Sequence, residues 1–487
     1  GGPLSPARAM LAALPLLLPA ALPSISAADP APYDHTHLYI ADCGTDKYQK
    51  PWVPGGPKGH ITIGGFNVCM DNGQPFGGEG SVVQVYTCHP LSDDEINQGW
   101  AFGDDGLLRT TQPGNRCVSI NDGGTAFLTS KCDQKWVLSK EGEFIHESTK
   151  KCLTAQDPGP PIELPKLNII PGEIFSWGGS SGGDMAIQFH VAFSKHVNGV
   201  CGNDAQPYHC AVTYFPNDYL LPQTNESGVP YCYKCPDGMT VLYDKCKNHP
   251  QHVDVGMLPD YPRRVCGDGG KPGCIDDAAN IYDDYVYLSR GECRTYIGGA
   301  EVNTLAMYGM MTTDPQTQLK YVDKCAPGAH STDDESNCIS HLFGASPKRT
   351  LKPPVNYANG RVHTFDMTPF ITDVNVGFEE QGYIYIPKNC QNGTTACHLL
   401  VHFHGCGGLQ GVQQNRTVHC YAESNNIVVL YPRIKKTNNV SRTYPNSYEI
   451  ARGCWDGYGQ LSEDYALQSG KHMSIAWNMI AHIAGIE

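Results

Sequence analysis

Glu173-Ile-Phe-Ser-Trp-Gly-Gly-Ser-Ser-Gly-Gly-Asp-Met-Ala-Ile-Gln-Phe-His-Val-Ala-Phe193 is the stretch on which the reading of this chain turns. It opens as a short apolar strand and bends through a glycine-rich corner. It then continues as a helix in which Met185, Ala186, Phe189 and Phe193 recur at helical spacing. At the corner, Gly179-Ser180-Ser181-Gly182-Gly183 fits G-x-S-x-G with Ser181 in the centre. A serine so placed sits on a tight strand-to-helix turn with its hydroxyl exposed, and the glycines leave room where side chains would collide. The helix behind it offers backbone N–H groups and a positive dipole end to a developing oxyanion. The plainer alternative is a Gly/Ser loop before an ordinary helix, so the surrounding chain has to decide.

With 487 residues the chain can hold two or three domains. A net charge of −14 argues against nucleic acid, for which a basic face would be expected. Met10 to Leu22 forms an apolar run followed by Ser26-Ala27-Ala28, which reads as a signal peptide over residues 1–28 and implies an extracellular protein. Pro15, Pro19 and Pro23 interrupt that run, and no later segment is long and apolar enough to span a membrane.

All 21 cysteines lie beyond the signal, so several disulfides are expected, with an odd one left over. Cys232 and Cys235 read as part of a disulfide-rich loop rather than a zinc site, and no metal or cofactor is expected. Asn225, Asn392, Asn415 and Asn439 head glycosylation sequons.

Residues 38–157 are short strands and turns with a weak internal repeat. One unit runs through Val68-Cys-Met-Asp71, Val82 to Cys88 and Asn97-Gln-Gly-Trp100. The next runs through Asn115-Arg-Cys-Val118, Ala126 to Cys132 and Asp133-Gln-Lys-Trp136, and Lys150-Lys-Cys-Leu153 opens a third that ends early. Paired cysteines around a strand followed by Q-x-W resemble the ricin-B-type β-trefoil lectins. The resemblance implies core tryptophans at 100 and 136 and disulfides Cys69–Cys88 and Cys117–Cys132. It further implies one sugar pocket, with Asp71 and Asn97 on the sugar hydroxyls, Gln84 beside them and Tyr86 stacked on the apolar sugar face. Galactose-type glycans are the expected partner, and a trefoil kept only as scaffold is the alternative.

A proline-rich linker over 158–166 follows, and a second domain fills 167–487. Tyr285-Val-Tyr-Leu288, Leu399-Leu-Val-His-Phe403 and Ile427-Val-Val-Leu-Tyr431 read as buried parallel strands, and His472–Ile483 as a closing helix. Strands interleaved with helices argue for an α/β sheet. The strand at 399–403 runs into His404-Gly-Cys-Gly-Gly408, a form used for the second half of an oxyanion hole. That strand ordinarily precedes the nucleophile, so an α/β-hydrolase here has to be circularly permuted.

This order, together with Gly179–Ala186, Pro207–Ala211, Gly328-Ala-His330, Gly382–Pro387, His404–Cys406, Asn425–Pro432 and Gly453–Asp456, resembles the circularly permuted polyhydroxybutyrate depolymerases, relatives of the feruloyl and acetylxylan esterases. Residues 215–280 match poorly and read as a cysteine-rich insertion. The resemblance implies Ser181 as nucleophile, His330 as general base, oxyanion donors at the Gly182 and Cys406 N–H groups, and an ester substrate, either a polyester or an ester-bearing glycan. Cys390–Cys397 and Cys406–Cys454 are the disulfides expected from local spacing and from the family. His402 and His404 are assigned to packing and hydrogen bonding. The family's triad acid falls on Arg294, whose charge is the wrong sign to stabilise an imidazolium. Glu292 is the nearest carboxylate that could replace it, ahead of Asp283 and Asp284. Two readings stay open: a secreted serine esterase targeted by a lectin-like domain, and a non-catalytic glycan-binding relative on the same scaffold.

Overall fold

The structure, a computed structural model, describes residues 36–44, 51–55, 59–64, 68–72, 78–88, 96–121, 124–155, 161–210, 273–291, 299–326, 334–355, 360–409, 416–436, 452–457 and 464–486, with a few single residues between them. The signal segment, most of the 215–280 insertion with Cys232 and Cys235, Glu292, Arg294, His330 and the sequons at Asn225, Asn415 and Asn439 lie outside the described residues. Internal packing divides the chain into two compact units, residues 38–157 and residues 158–487.

The first unit is built from short antiparallel strands: β1 (Thr36–Ala41), β2 (Trp52–Pro54), β3 (Ile61–Ile63), β4 (Val68–Asn72), β5 (Val83–Thr87), β6 (Trp100–Phe102), β7 (Leu108–Thr110), β8 (Cys117–Ile120), β9 (Ala126–Thr129), β10 (Trp136–Leu138), β11 (Phe144–His146) and β12 (Cys152–Ala155). They sort into three equivalent sets of four. In each set a leading tryptophan pairs with the next strand: Trp52 with Ile63, Trp100 with Thr110 and Trp136 with His146. Each buried indole also donates to the carbonyl that follows a half-cystine. Trp100 Nε1 reaches Met70 at 2.7 Å, Trp136 reaches Val118 at 3.0 Å and Trp52 reaches Leu153 at 3.2 Å. Burying large indoles with their one donor satisfied is how a fold of such short strands acquires a core.

The third set is complete, which corrects the expectation of a truncated unit. Its fourth strand is β1, from the start of the chain, paired antiparallel with β12 from Leu38–Ala155 to Ala41–Cys152. Cys43–Cys152 closes it as Cys69–Cys88 and Cys117–Cys132 close the others. A linear search for repeats misses this unit because its two halves stand at opposite ends of the domain.

The second unit is one mixed sheet of β13 (Ile169–Gly179), β14 (Val197–Asn203), β15 (Tyr285–Arg290), β16 (Leu319–Asp323), β17 (Arg361–Asp366), β18 (Gln381–Ile386), β19 (Cys397–Phe403) and β20 (Ile427–Tyr431), in the order β16-β15-β14-β13-β19-β20-β18-β17. Neighbours are parallel except around β18, which is antiparallel to both β17 and β20. The helices are α1 (Ser181–Ala192), α2 (Ala300–Gly309), α3 (Pro315–Gln318), α4 (Asp334–Ile339), α5 (Thr417–Asn425) and α6 (Lys471–Ala484).

Alternate residues of the central strands feed opposite faces, so the strands read as continuous apolar runs. Ile174, Leu399, Val401 and Leu430 pack with Met185, Phe189, Met473 and Ile480 of α1 and α6. Phe175, Leu400, Val429 and Tyr431 pack with Cys338, Ile339, Val418 and Ala422 of α4 and α5. First in the unit's sequence, β13 is central in its sheet and lies beside the late strand β19. The two ends of the unit meet, since Leu167 N donates to Ile483 O at 2.8 Å. That closure is what a permuted chain requires.

Candidate functional site

The sharp bend between β13 and α1 falls on Ser180, not Ser181. Ser180 is the one residue between them, with φ 56° and ψ −127°, and it is exposed. A non-glycine residue in that region is strained by about 1–3 kcal/mol. Two hydrogen bonds hold it there: its N–H donates to Asn203 O at 2.9 Å and its C=O accepts from Asp184 N at 3.0 Å. Ser181 is instead the first residue of α1, half-buried, and its Oγ accepts the Trp455 N–H at 3.3 Å. The same stretch contains a second, overlapping frame, Gly178-x-Ser180-x-Gly182. Its glycines are sterically required. A Cβ on Gly178 would stand 2.1 Å from Gly182 O, and one on Gly182 would stand 2.1 Å from Phe403 O. The two frames overlap, and the close backbone approach at 178 and 182 coincides with the one centred on Ser180.

Gly182 therefore seats α1 against the end of β19, and the N–H next to Ser180 belongs to Ser181. On the other side, Gly405 comes close enough that a Cβ on it would lie 3.6 Å from the Ser180 Cβ. The loop beyond it is pinned by Cys406–Cys454 and by Gly407 N donating to Arg452 O at 2.8 Å, and it turns through positive φ at Gly407 and Gly408. Disulfides also join Cys390 to Cys397, Cys201 to Cys338 and Cys210 to Cys246.

His404 braces this loop. Its Nε2 accepts from Ile434 N at 2.9 Å, so the proton sits on Nδ1, which donates to Gly405 O at 2.7 Å. Fixing that carbonyl fixes the plane of the Gly405–Cys406 peptide and hence the direction of the Cys406 N–H. Burial pushes the His404 pKa down to about 4, so the ring is a neutral strut. His402 is buried, edge-on to Trp177 at 4.4 Å, and burial likewise drives its pKa far down. His472 accepts from Asp456 N at 3.0 Å and donates to Val376 O at 2.7 Å, with its pKa also lowered to about 4 by burial. His190 contacts Asp284 at 3.0 Å and Tyr308 at 2.8 Å, but it lies roughly 15 Å along α1 from the bend.

In the first unit Asp71 and Gln84 face each other across β4 and β5. Asp71 Oδ1 accepts from Gln84 Nε2 at 2.9 Å, and Oδ2 accepts from Asn97 Nδ2 at 2.6 Å and Gln98 Nε2 at 3.2 Å. Tyr86 lies opposite Cys69, half-buried. Gln98 was missing from the expected set. The equivalent positions are Ser119 facing Phe127 in the second set and Thr154 facing Tyr39 in the third. Neither offers a carboxylate. Asn392 is exposed, and its Oδ1 accepts from Thr394 N and Thr395 N, both at 2.9 Å.

Comparison with known proteins agrees with both units. The model of the ricin-type beta-trefoil lectin domain matches residues 57–166. Over 355 residues the chain is 27% identical to the poly(3-hydroxybutyrate) depolymerase of Delftia acidovorans, covering 66% of this chain and 62% of that one. Over 343 residues it is 25% identical to the polyhydroxybutyrate depolymerase of Talaromyces funiculosus, covering 66% of this chain and 92% of the relative. Among solved structures, a PHB depolymerase complexed with R3HB trimer aligns with a TM-score of 0.51 at 20% identity, covering 66% of this chain and 99% of the other. The PHB depolymerase from Penicillium funiculosum aligns at 0.50 and 21%, with the same two coverages. This protein thus joins a domain that matches the ricin-type β-trefoil lectin model to a second domain with the fold of the polyhydroxybutyrate depolymerases.

Proposed function

We propose that the second unit is a serine ester hydrolase acting on polyesters of hydroxy acids, and that Ser180, not Ser181, is its nucleophile. The strained, exposed bend at Ser180 beside the Gly405–Cys406 loop is the observation that carries this reading. In the mechanism His330 takes the Ser180 proton as Oγ attacks the ester carbonyl, and the Ser181 and Cys406 N–H groups receive the oxyanion. The leaving alkoxide is protonated by His330. Water activated by the same imidazole then releases the acid from Ser180. The relatives' names support this substrate class. The trefoil is proposed to hold the enzyme near a glycan through the Asp71 pocket. Seven disulfides among the described residues suit a secreted protein.

The rival reading, a glycan-binding protein that keeps the hydrolase scaffold, is motivated by Arg294 at the position of the family's acid. Hydrolysis of p-nitrophenyl butyrate and of a polyhydroxybutyrate film separates the two. Wild type should be active, Ser180→Ala should fall to background, and Ser181→Ala should keep at least about a tenth of the rate. Equal background rates for wild type and Ser180→Ala sink the enzyme reading. A rate that depends on Ser181 but not on Ser180 returns the nucleophile to Ser181.

A further inference from the structure

The geometry points to a second ligand site in this unit, built for a small hydroxylated carboxylate and independent of the chemistry at Ser180. A cavity of about 360 Å³ lies among Ile170 and Glu173 of β13, His398 of β19, Phe343, the segment Lys348–Lys352 and the end of α5. β13 and β19 are parallel, and their carboxyl ends run into Ser180 and His404. The cavity sits at their amino ends, with Glu173 seven residues before Ser180, roughly 20 Å along the strand. It is therefore not the catalytic cleft. Its volume falls at the lower end of the roughly 300–1,000 Å³ of small-molecule sites, which suits one sugar or one short acid.

The lining reverses the charge of the chain. Lys348, Arg349 and Lys352 stand there against the single carboxylate of Glu173, in a chain of net charge −14. That carboxylate is shared, since Oε2 accepts from Arg349 Nε at 2.6 Å and lies 3.0 Å from His398 Nδ1. Arg349 Nη1 donates to Leu342 O at 3.2 Å, and its Cζ sits over the Phe175 ring, 4.6 Å from the centroid. The guanidinium is thus held in one orientation on a side chain only 7% exposed, and Nη2 has no partner among the described residues. A guanidinium fixed in this way is well suited to hold a carboxylate. Lys352 is anchored by its backbone: its N–H donates to Asn425 Oδ1 at 2.7 Å and its C=O accepts from Asn425 Nδ2 at 3.0 Å. Its ammonium forms no ion pair among the described residues. Lys348 meets Asp283 only at 3.5 Å between two exposed groups, a pairing that water largely screens. With Nδ1 donating to Glu173, His398 keeps Nε2 as an acceptor for a ligand hydroxyl. Phe343 and Ile170 give its carbon skeleton an apolar wall. Two sources share this chemistry, an acidic sugar of a glycan and a short hydroxy acid.

Isothermal titration calorimetry of the full chain at low salt, with glucuronate and with 3-hydroxybutyrate, tests the site. At least one is expected to bind, and the tighter one names the source. Glucose and butane-1,3-diol, their uncharged counterparts, should bind at least about 10-fold more weakly, as the loss of one charged hydrogen bond requires. Arg349→Gln should weaken the acid about 10-fold or more, and Lys352→Gln, which removes a more exposed charge, about 3-fold. Absence of binding by both acids at millimolar concentration overturns the site, as does equal binding of the uncharged counterparts. An affinity that neither variant lowers places the acid elsewhere and overturns it too. Arg349 also anchors Glu173, so where Arg349→Gln does not fold, Lys352→Gln decides: an unchanged affinity there overturns the assignment.

Discussion

Gly182 lies so near Phe403 that a Cβ on it would stand 2.1 Å from the Phe403 carbonyl oxygen and 2.4 Å from that of His404. Both obstacles are backbone, so no rotamer change relieves them. Gly182→Ala must push α1 away from β19 and part Ser180 from the Gly405–Cys406 loop. Overpacking of this kind costs about 1–3 kcal/mol, and the geometric error adds a loss of about 10²-fold in kcat. Gly405→Ala meets only ordinary contacts at 3.4 and 3.6 Å and should cost less than about 1 kcal/mol. Urea unfolding of the two variants checks the contrast. Equal stabilities would show that α1 and β19 are not so tightly apposed.

The three indoles of the trefoil should be energetically equivalent. Trp52→Ala is expected to destabilise the first unit by about 3–5 kcal/mol, as Trp100→Ala and Trp136→Ala should. Removing the Cys43–Cys152 crosslink should cost a further few kcal/mol, because it closes a long loop spanning 109 positions. Denaturant midpoints of the isolated variants measure both. A Trp52→Ala cost below about 1 kcal/mol would mean that β2 is an appendage rather than the leading strand of the first set.

These two cases mark what could be read from the chain alone. The apolar strands at 285–288, 399–403 and 427–431 were legible because burial on both faces makes a strand uniformly hydrophobic. The permutation was legible because the oxyanion strand came late. The third trefoil set was not, since Cys43 and Cys152 become neighbours only when the chain closes on itself. Nor was the position of the bend: Ser180 and Ser181 both satisfy a five-residue pattern, and only the backbone angle at the bend separates them. β18 escaped because Gln381-Gly-Tyr-Ile-Tyr-Ile386 carries no mark of its antiparallel direction.

Acid should unfold the second unit through its buried imidazoles. His404 and His472 have pKa values lowered to about 4 and His209 to about 3, each chiefly by burial. Unfolded, each returns to about 6.5. The unfolded chain therefore takes up protons that the folded chain refuses between about pH 6.5 and 4. Stability from neutral burial is complete above that window and is lost on descending through it, by about 1.4 kcal/mol per pH unit per histidine. His404→Asn, whose amide can still donate to Gly405 O, should lower the slope by about one proton. Urea midpoints at pH 4.5, 5.5 and 6.5 provide the measurement. An unchanged slope would mean that His404 titrates normally.

The trefoil should carry one glycan site and no more. Asp71 gathers amide donors from Gln84, Asn97 and Gln98; Gln84 and Gln98 are buried, so the partly exposed Asn97 is the amide whose remaining polar atoms can meet sugar hydroxyls. In the other two sets the carboxylate's place is taken by Ser119 and Thr154, and the glutamine's by Phe127 and Tyr39, so neither can organise such a cluster. Wild type is expected to be retained on immobilised galactose with one equivalent bound. Asp71→Ala should abolish retention, while Ser119→Ala and Thr154→Ala leave it intact. Because Asp71→Ala also strips acceptors from buried amides, at about 1–3 kcal/mol each, near-UV circular dichroism must accompany the column assay. Retention that survives Asp71→Ala in a folded variant would move the sugar site elsewhere. Wild type that flows through unretained would leave the trefoil a scaffold for galactose-type ligands.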